Sequence, residues 1–363
     1  MFISTNYYAV KNAIEVYGPI SKPAIAKKIN LSLPAVNRIV DILTEESIVS
    51  EHSIGESTGG RKPKLYVINE SYAFICNVLI QGQKIKVQLL GRTRKEVKTL
   101  QTRIRNFHEE DILAALTAMI KSVIVGYENK LVVIGVGVPG LVVDNSIVKS
   151  IPTIPQWENY NLQKALSEEF PEVDILIEND VKLSAVGLLH KNETKGMKNI
   201  AYLYIGKGVG MGITIDGTLY KGNSSFAGEV GSTMSEQDFE SKTSKYTFTN
   251  KIIALMRAIS EDMDFEFIKK EISNPGQYHN EVNSLVHLAS ALIVNTFCFL
   301  DLEAIFLDGD IMNEALVKHL KSNLESTMGE SYSNRLFLNQ QDNIGMKGLG
   351  HYSLLHYLKQ THG

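Results

Sequence analysis

The sequence predicts an α/β protein in which a small winged helix-turn-helix precedes a two-lobed body. Three observations carry this prediction. Residues 1–70 hold three short helical stripes followed by a basic hairpin. Past Glu70, strands alternate with helices to the end of the chain. The 363 residues, 44% apolar and 21% charged, suffice for two or three packed cores.

In the first segment, Val10, Ala13, Ile14 and Tyr17 recur at helical spacing, and Gly18-Pro19 stops the helix. A second helix starts at "SKPAIAKKI", where Ser21 can cap and Pro23 fits the first turn, and Asn30 ends it. A third starts at "LSLPAVNRIVDILTEE", with Ser32 as cap and Pro34 in the first turn. Val36, Ile39, Val40 and Leu43 form its buried stripe. Pro34, Arg38, Asp41 and Glu45 then point outward, with Ala35 and Asn37 on the flank. The outward face is neutral or basic at first and acidic later, so only its N-terminal half, at the positive end of the helix dipole, suits DNA. "IVSEHSIGESTGGRKPKLYVI" reads as two strands around a glycine-rich turn. The candidate DNA contacts are Ser32, Ala35, Asn37 and Arg38 on the third helix, and Gly60, Arg61 and Lys62 on the wing. A small helical interaction or dimerisation domain is the competing reading.

Charge agrees weakly. Residues 1–64 carry eight basic and six acidic side chains, so the body is net acidic within an overall charge of −3. Two cysteines, Cys76 and Cys298, are too few for a disulfide framework or a thiolate metal site. The N-terminus has no basic-then-apolar leader pattern. The most apolar stretch, "LVVIGVGVPGLVV", is too short and too rich in Gly and Pro to span a bilayer. These features predict a cytoplasmic protein with reduced thiols and no membrane partner.

In the body, "FICNVLI" and "KIKVQLL" read as paired strands, and a helix follows in "EEDILAALTAMIKSVI". "LVVIGVGVPG", "DILIEND", "IAYLYIG" and "MGITIDG" are further strands, then a long helix "NSLVHLASALIVNTFCFL" and a strand "EAIFLDG". The stretch "IGKGVGMG", residues 205–212, has the glycine spacing of a loop that lets backbone N–H groups approach a phosphate, and equally that of a tight turn between strands.

"GVGVPGLV", "IPTIPQWENYNLQKAL", "IENDVKLSAVG", "YIGKGVGMGITIDGTLYKG" and "FAGEVG" follow the winged-helix segment in an order that resembles the ROK family of repressors and sugar kinases. The resemblance covers nearly the whole chain. It implies an actin-like, ribonuclease-H-like body: an N-lobe over 71–185 and a C-lobe over 186–363, with a C-terminal helix returning to the N-lobe, after a DNA-binding domain over 1–70. It also implies a sugar site built from Gly140, Thr153, Asn179, Asp180, Glu229 and Ser232, in which Asp180 matches the kinases' catalytic base. Asp and Glu accept hydrogen bonds from vicinal hydroxyls, and Asn both donates and accepts.

The departures from the family pattern are informative. "LIQGQK" puts Leu79, Gln81 and Gln83 where the kinases have an acidic-Gly-Gly-Thr turn for phosphate and metal. Lys207 replaces a small hydroxyl residue, and "LDGD" places Asp308 and Asp310 near the nucleotide, where they would repel a triphosphate. Thr153 stands where the family has Asn. Ser232 replaces the family's His, and the "TMSEQDFESKTSKYTF" that follows contains no cysteine, so the zinc site is missing. The resemblance therefore points to a transcription factor without cofactor or metal. It would bind a palindromic operator as a homodimer, or within a tetramer, and answer to a sugar or sugar phosphate. A sugar kinase with a regulatory arm, and a ligand-free or partner-controlled scaffold, are the alternatives.

Overall fold

A computed structural model describes residues 5–52, 64–104, 112–151, 154–191, 194–240 and 247–362. Helices α1 (Thr5–Tyr17), α2 (Lys22–Ile29) and α3 (Leu33–Glu45) pack around Val10, Ile14, Ile25, Val36, Val40 and Leu43, each essentially buried. The stripe that spacing predicts in α3 is the one that the helix buries. Strands β1 (Ile20–Ser21), β2 (Val49–His52) and β3 (Leu65–Ile68) form a small antiparallel sheet in the order β1-β3-β2. Together these elements make a winged helix-turn-helix. Ser21 caps α2 by accepting from the Ala24 N–H, and Asn30 ends it in the left-handed region at φ 53°. Ser32 occupies the N-cap position of α3 as expected, but its hydroxyl makes no capping hydrogen bond and stays exposed.

The body contains two five-stranded sheets of one topology. The first joins β4 (Phe74–Gln81), β5 (Lys84–Gly91), β6 (Glu96–Arg103), β7 (Leu131–Val138) and, after the short strands β8 (Leu141–Val143), β9 (Ile147–Ser150) and β10 (Tyr160–Asn161), β11 (Asp174–Asn179), in the order β11-β7-β4-β5-β6. The second joins β12 (Ile200–Ile205), β13 (Val209–Ile215), β14 (Thr218–Leu219), β15 (Ala304–Asp308) and β16 (Leu336–Leu338) in the order β14-β13-β12-β15-β16. In each sheet three antiparallel strands come first and two parallel strands follow on the other side of the first. This duplicated arrangement is the actin-like fold. Strand β6 escapes the sequence reading because it is an edge strand, exposed or half-buried along its whole length, and has no alternation to detect.

The first sheet packs against α4 (Ile112–Ile124) and α5 (Leu162–Glu169) around Cys76, Val78, Leu116, Ile120, Val136 and Ile177. The second packs against α8 (Thr247–Ile259), α9 (Phe265–Ser273), α10 (His279–Leu300) and α11 (Glu314–Met328), with the short helices α7 (Glu236–Glu240) and α12 (Glu330–Ser333) beside them. Among the described residues, helix α10, not the "LVVIGVGVPGLVV" stretch, is the segment long and apolar enough to cross a membrane by composition, with a mean hydropathy of 1.5. Here Val282, Leu285, Ile293 and Phe297 face the C-lobe core, which accounts for that composition without a bilayer.

Helices α6 (Asp180–Leu188) and α13 (Ile344–His362) cross between the sheets. The first lies on β12 and β13, the second on β4 and β7, and each packs on the other. Their crossing needs glycine. A Cβ at Gly348 would sit 1.8 Å from the Leu183 carbonyl oxygen, and one at Gly187 would sit 2.3 Å from that of Ile344. One further contact ties the arm to this crossing. Arg92, just after β5, is buried with its guanidinium paired to Glu15 of α1 and 5.2 Å from the centre of the Tyr357 ring of α13. Lys11 of α1, also buried, lies over the Tyr72 ring.

Candidate functional site

Strand β11 belongs to the first sheet, and α6, which follows it directly, packs under the second. Asn179 and Asp180 therefore stand where the chain passes from one lobe to the other, at the carboxyl end of a parallel strand. Asn179 caps α6: its side-chain oxygen accepts from the Lys182 N–H at 2.9 Å. Its amide donates to the Gly140 carbonyl at 2.9 Å, which brings the "VPG" loop to the same place. Asp180 is half-buried, and burial pushes its carboxyl up to about 7, opposed by the Val181 N–H that it accepts at 2.9 Å.

Glu229 reaches this point through a residue that the sequence reading did not single out. Lys182, two positions into α6 and 1% exposed, places its ammonium 3.6 Å from the Glu229 carboxylate and donates to the Ser225 carbonyl. Burial raises the Glu229 carboxyl and Lys182 opposes the rise. Ser232 lies one short turn beyond Glu229, its N–H donating to the Glu229 carbonyl. Thr153 lies outside the described residues, as do Gly60, Arg61 and Lys62 on the wing. The rest of the candidate DNA face lies on α3: Ser32 and Arg38 are exposed, Ala35 and Asn37 half-buried, and Asp41 is paired with Lys22 at 2.5 Å.

A second lysine joins the lobes. Lys221, after β14, meets the fully buried Glu178 of β11 at 2.8 Å and also bonds Asn145 and Tyr352 of α13. Burial lowers its ammonium, but Glu178 and Tyr352 outweigh this and leave it above the ordinary value. No sequence signal names the partner of either lysine, because only the fold shows that the partner lies close. For Lys182 the one hint was a lysine two residues after "END" on an otherwise apolar helix.

The glycine loop answers the question that its spacing raises. Gly212 lets α6 approach β13: a Cβ there would fall 2.5 Å from the Val181 carbonyl oxygen. At Gly206 a Cβ would fall 2.3 Å from the Asp310 carboxylate, which accepts from the Lys207 N–H at 2.9 Å and from the Tyr204 hydroxyl at 2.7 Å. The anion in this loop is the chain's own Asp310. Leu79, standing where a metal-binding acid is expected, packs with Leu183, Met346 and Leu349 between β4 and the crossing helices. Among the described residues, no three His, Cys, Asp or Glu side chains converge to hold a metal.

Fold and site geometry together define a ROK-type body joined to a winged helix. A profile of the ROK family matches residues 77–349, and the chain belongs to that family. It is similar to a xylose repressor of Staphylococcus xylosus, 26% identical over 313 residues that cover 81% of this chain and 79% of the relative. It also resembles the DNA-binding transcriptional dual regulator NagC of Escherichia coli K12, 28% identical over 62% of this chain and 56% of that protein. The chain spans about half the length of several other curated relatives, among them a xylose repressor of Caldicellulosiruptor bescii. Among solved structures, a ROK family transcriptional regulator described as a homolog of E. coli MLC superposes with a TM-score of 0.72 at 18% identity, over 99% of this chain and 98% of that one. A ROK hexokinase of Thermus thermophilus superposes with a TM-score of 0.62 at 17% identity, over 80% of this chain and 100% of that one. At these identities the two structures establish the shared fold, which serves regulators and kinases alike.

Proposed function

We propose that this protein is a sugar-responsive transcriptional repressor of the cytoplasm. It binds operator DNA as a dimer through α3 and the wing, and senses a sugar between the lobes with Gly140, Asn179, Asp180 and Glu229. The observation that carries this reading is the union, on one chain, of a winged helix with a body whose phosphate loop is closed on Asp310. Two relatives named xylose repressor, and one named a DNA-binding transcriptional dual regulator, support it. Asp180 retains the place of a kinase base, yet phosphoryl transfer is almost entirely positioning and charge neutralisation of the transferred group. A leucine cluster at Leu79 and a carboxylate in the loop supply neither.

The test is a paired measurement on the purified full-length chain. With ATP, magnesium and a panel of pentoses and hexoses, no sugar phosphate should form above background. At least one of those sugars should bind by calorimetry, and Asp180→Ala should weaken that binding by about tenfold or more, as expected for a lost charged hydrogen bond. Turnover near 1 s⁻¹, an ordinary enzyme rate of about that order, would make the protein a kinase.

A further inference from the structure

The two lobes touch in two chemically different ways. At the crossing of α6 and α13 the contact is backbone on backbone. Gly187 lies against the Ile344 carbonyl and Gly348 against that of Leu183, with no room for a Cβ on either glycine. Helices packed this closely slide or rotate by small amounts without parting. Next to Asn179 the contact is polar instead. Lys221 of the C-lobe reaches Glu178 at 2.8 Å, and it donates to the Asn145 side chain and to the Tyr352 hydroxyl at 3.2 Å.

The groups that receive Lys221 are held to one another without it. The Tyr352 hydroxyl lies 3.4 Å from both the Glu178 carboxylate and the Asn145 side-chain oxygen. The Asn145 carbonyl accepts from the Ile177 N–H of β11 at 2.9 Å, which ties the β8–β9 turn to that strand. All three belong to the first sheet, its turn and the helix that covers it, whereas the lysine comes from the second lobe, on the segment that leads to Glu229. Glu178 is 1% exposed, yet the Lys221 side chain keeps 24% of its surface open to water. Desolvation offsets much of the attraction in such a pair, and its members regain hydrogen bonds to water when they separate. Apolar surface has no such replacement. The polar contact is therefore the one that can open.

We propose that Lys221 is a latch between the lobes. It holds the end of the body beside Asn179 shut while no ligand is bound, and its release lets the lobes separate about the α6–α13 crossing. The latch belongs to the ligand-free chain, so it stands or falls independently of any sugar.

A pulsed spin-label distance measurement on the full-length, ligand-free protein tests it. One label goes on Cys298, exposed on α10, and the other on Val125→Cys, exposed just after α4, while Cys76 is buried and stays unlabelled. An excess of unlabelled protein restricts the signal to distances within one chain. With Lys221 present, a single narrow distance is expected. Lys221→Met leaves Glu178 buried without its cation, so a second distance should appear as a major population. Asn145→Gly, which suits the left-handed backbone there at φ 55°, and Tyr352→Phe each remove one partner and should add a smaller second population. These two serve if Lys221→Met fails to fold, as judged by its thermal unfolding midpoint. A lowered midpoint with an unchanged single distance in the folded variants would make Lys221 a structural brace and overturn the latch. Two distances already present with Lys221 in place would overturn it as well.

Discussion

Replacing Lys182 with Met is expected to destabilise the protein by about 3–5 kcal/mol near pH 8, the range for breaking a buried ion pair by removing one partner. Methionine matches the stem of lysine but leaves Glu229 without its cation and the Ser225 carbonyl without its donor. The sign of the pH dependence follows from the carboxyl left behind. Burial already holds Glu229 above its ordinary value against the pull of Lys182, so removing that pull raises it further. A carboxyl raised in the folded state costs stability progressively as the pH climbs from its unfolded to its folded value, and the cost is gone below the unfolded value, where both states hold the proton. The defect should therefore shrink as the pH falls from 8 toward 5. Thermal unfolding midpoints across that range check the slope. Pairing the change with Glu229→Gln should recover much of the loss, while leaving sugar binding impaired. A pH-independent loss would mean that Lys182 acts through packing alone.

Replacing Arg92 with Met should weaken the link between arm and body. Arg92 is buried against Glu15 of α1 and the Tyr357 ring of α13, and α13 crosses the helix that begins with Asp180. On the proposed reading, a ligand between the lobes would shift α6 against α13, and this junction would carry that shift to the DNA-binding arm. Ordinary allosteric coupling of about 1–3 kcal/mol corresponds to a change of about 5–150-fold in operator affinity on adding sugar. In Arg92→Met that change should fall to about twofold or less, although the isolated affinities for DNA and sugar remain. Removing one partner also exposes Glu15 to the cost of burial, so stability should drop by a few kcal/mol. Glu15→Gln, which keeps a hydrogen-bonding group, is the milder companion variant. An unchanged sugar response in folded Arg92→Met protein would place the coupling elsewhere.

The parts of this architecture that were legible in the sequence are those with a local signal. Helix α3 shows its buried stripe at Val36, Ile39, Val40 and Leu43, and the parallel strands β7, β11, β12 and β15 appear as mostly apolar runs, because burial on both faces leaves few polar positions, Glu178 of β11 among them. Asn179 and Asp180 were visible because a strand ends and a helix begins at "END". What was not legible depends on pairs distant in the chain. Lys182 with Glu229, Lys221 with Glu178, and Arg92 with Glu15 each join elements whose approach only the tertiary fold determines. The glycine loop was ambiguous for the same reason. Its spacing permits a phosphate, and only the position of Asp310, about a hundred residues later, reveals the anion that occupies it.

The most direct test of the central claim is selection of operator DNA by the full-length protein from a random duplex pool, repeated with the binding sugar present. The account predicts enrichment of an inverted repeat whose half-sites lie a whole number of helical turns apart, as two-fold arms require. It also predicts that the sugar changes affinity for that sequence by about 5–150-fold and that Asp180→Ala abolishes the change. No enrichment over non-specific DNA, or a selected sequence bound equally with and without every neutral sugar that the protein binds, would contradict it.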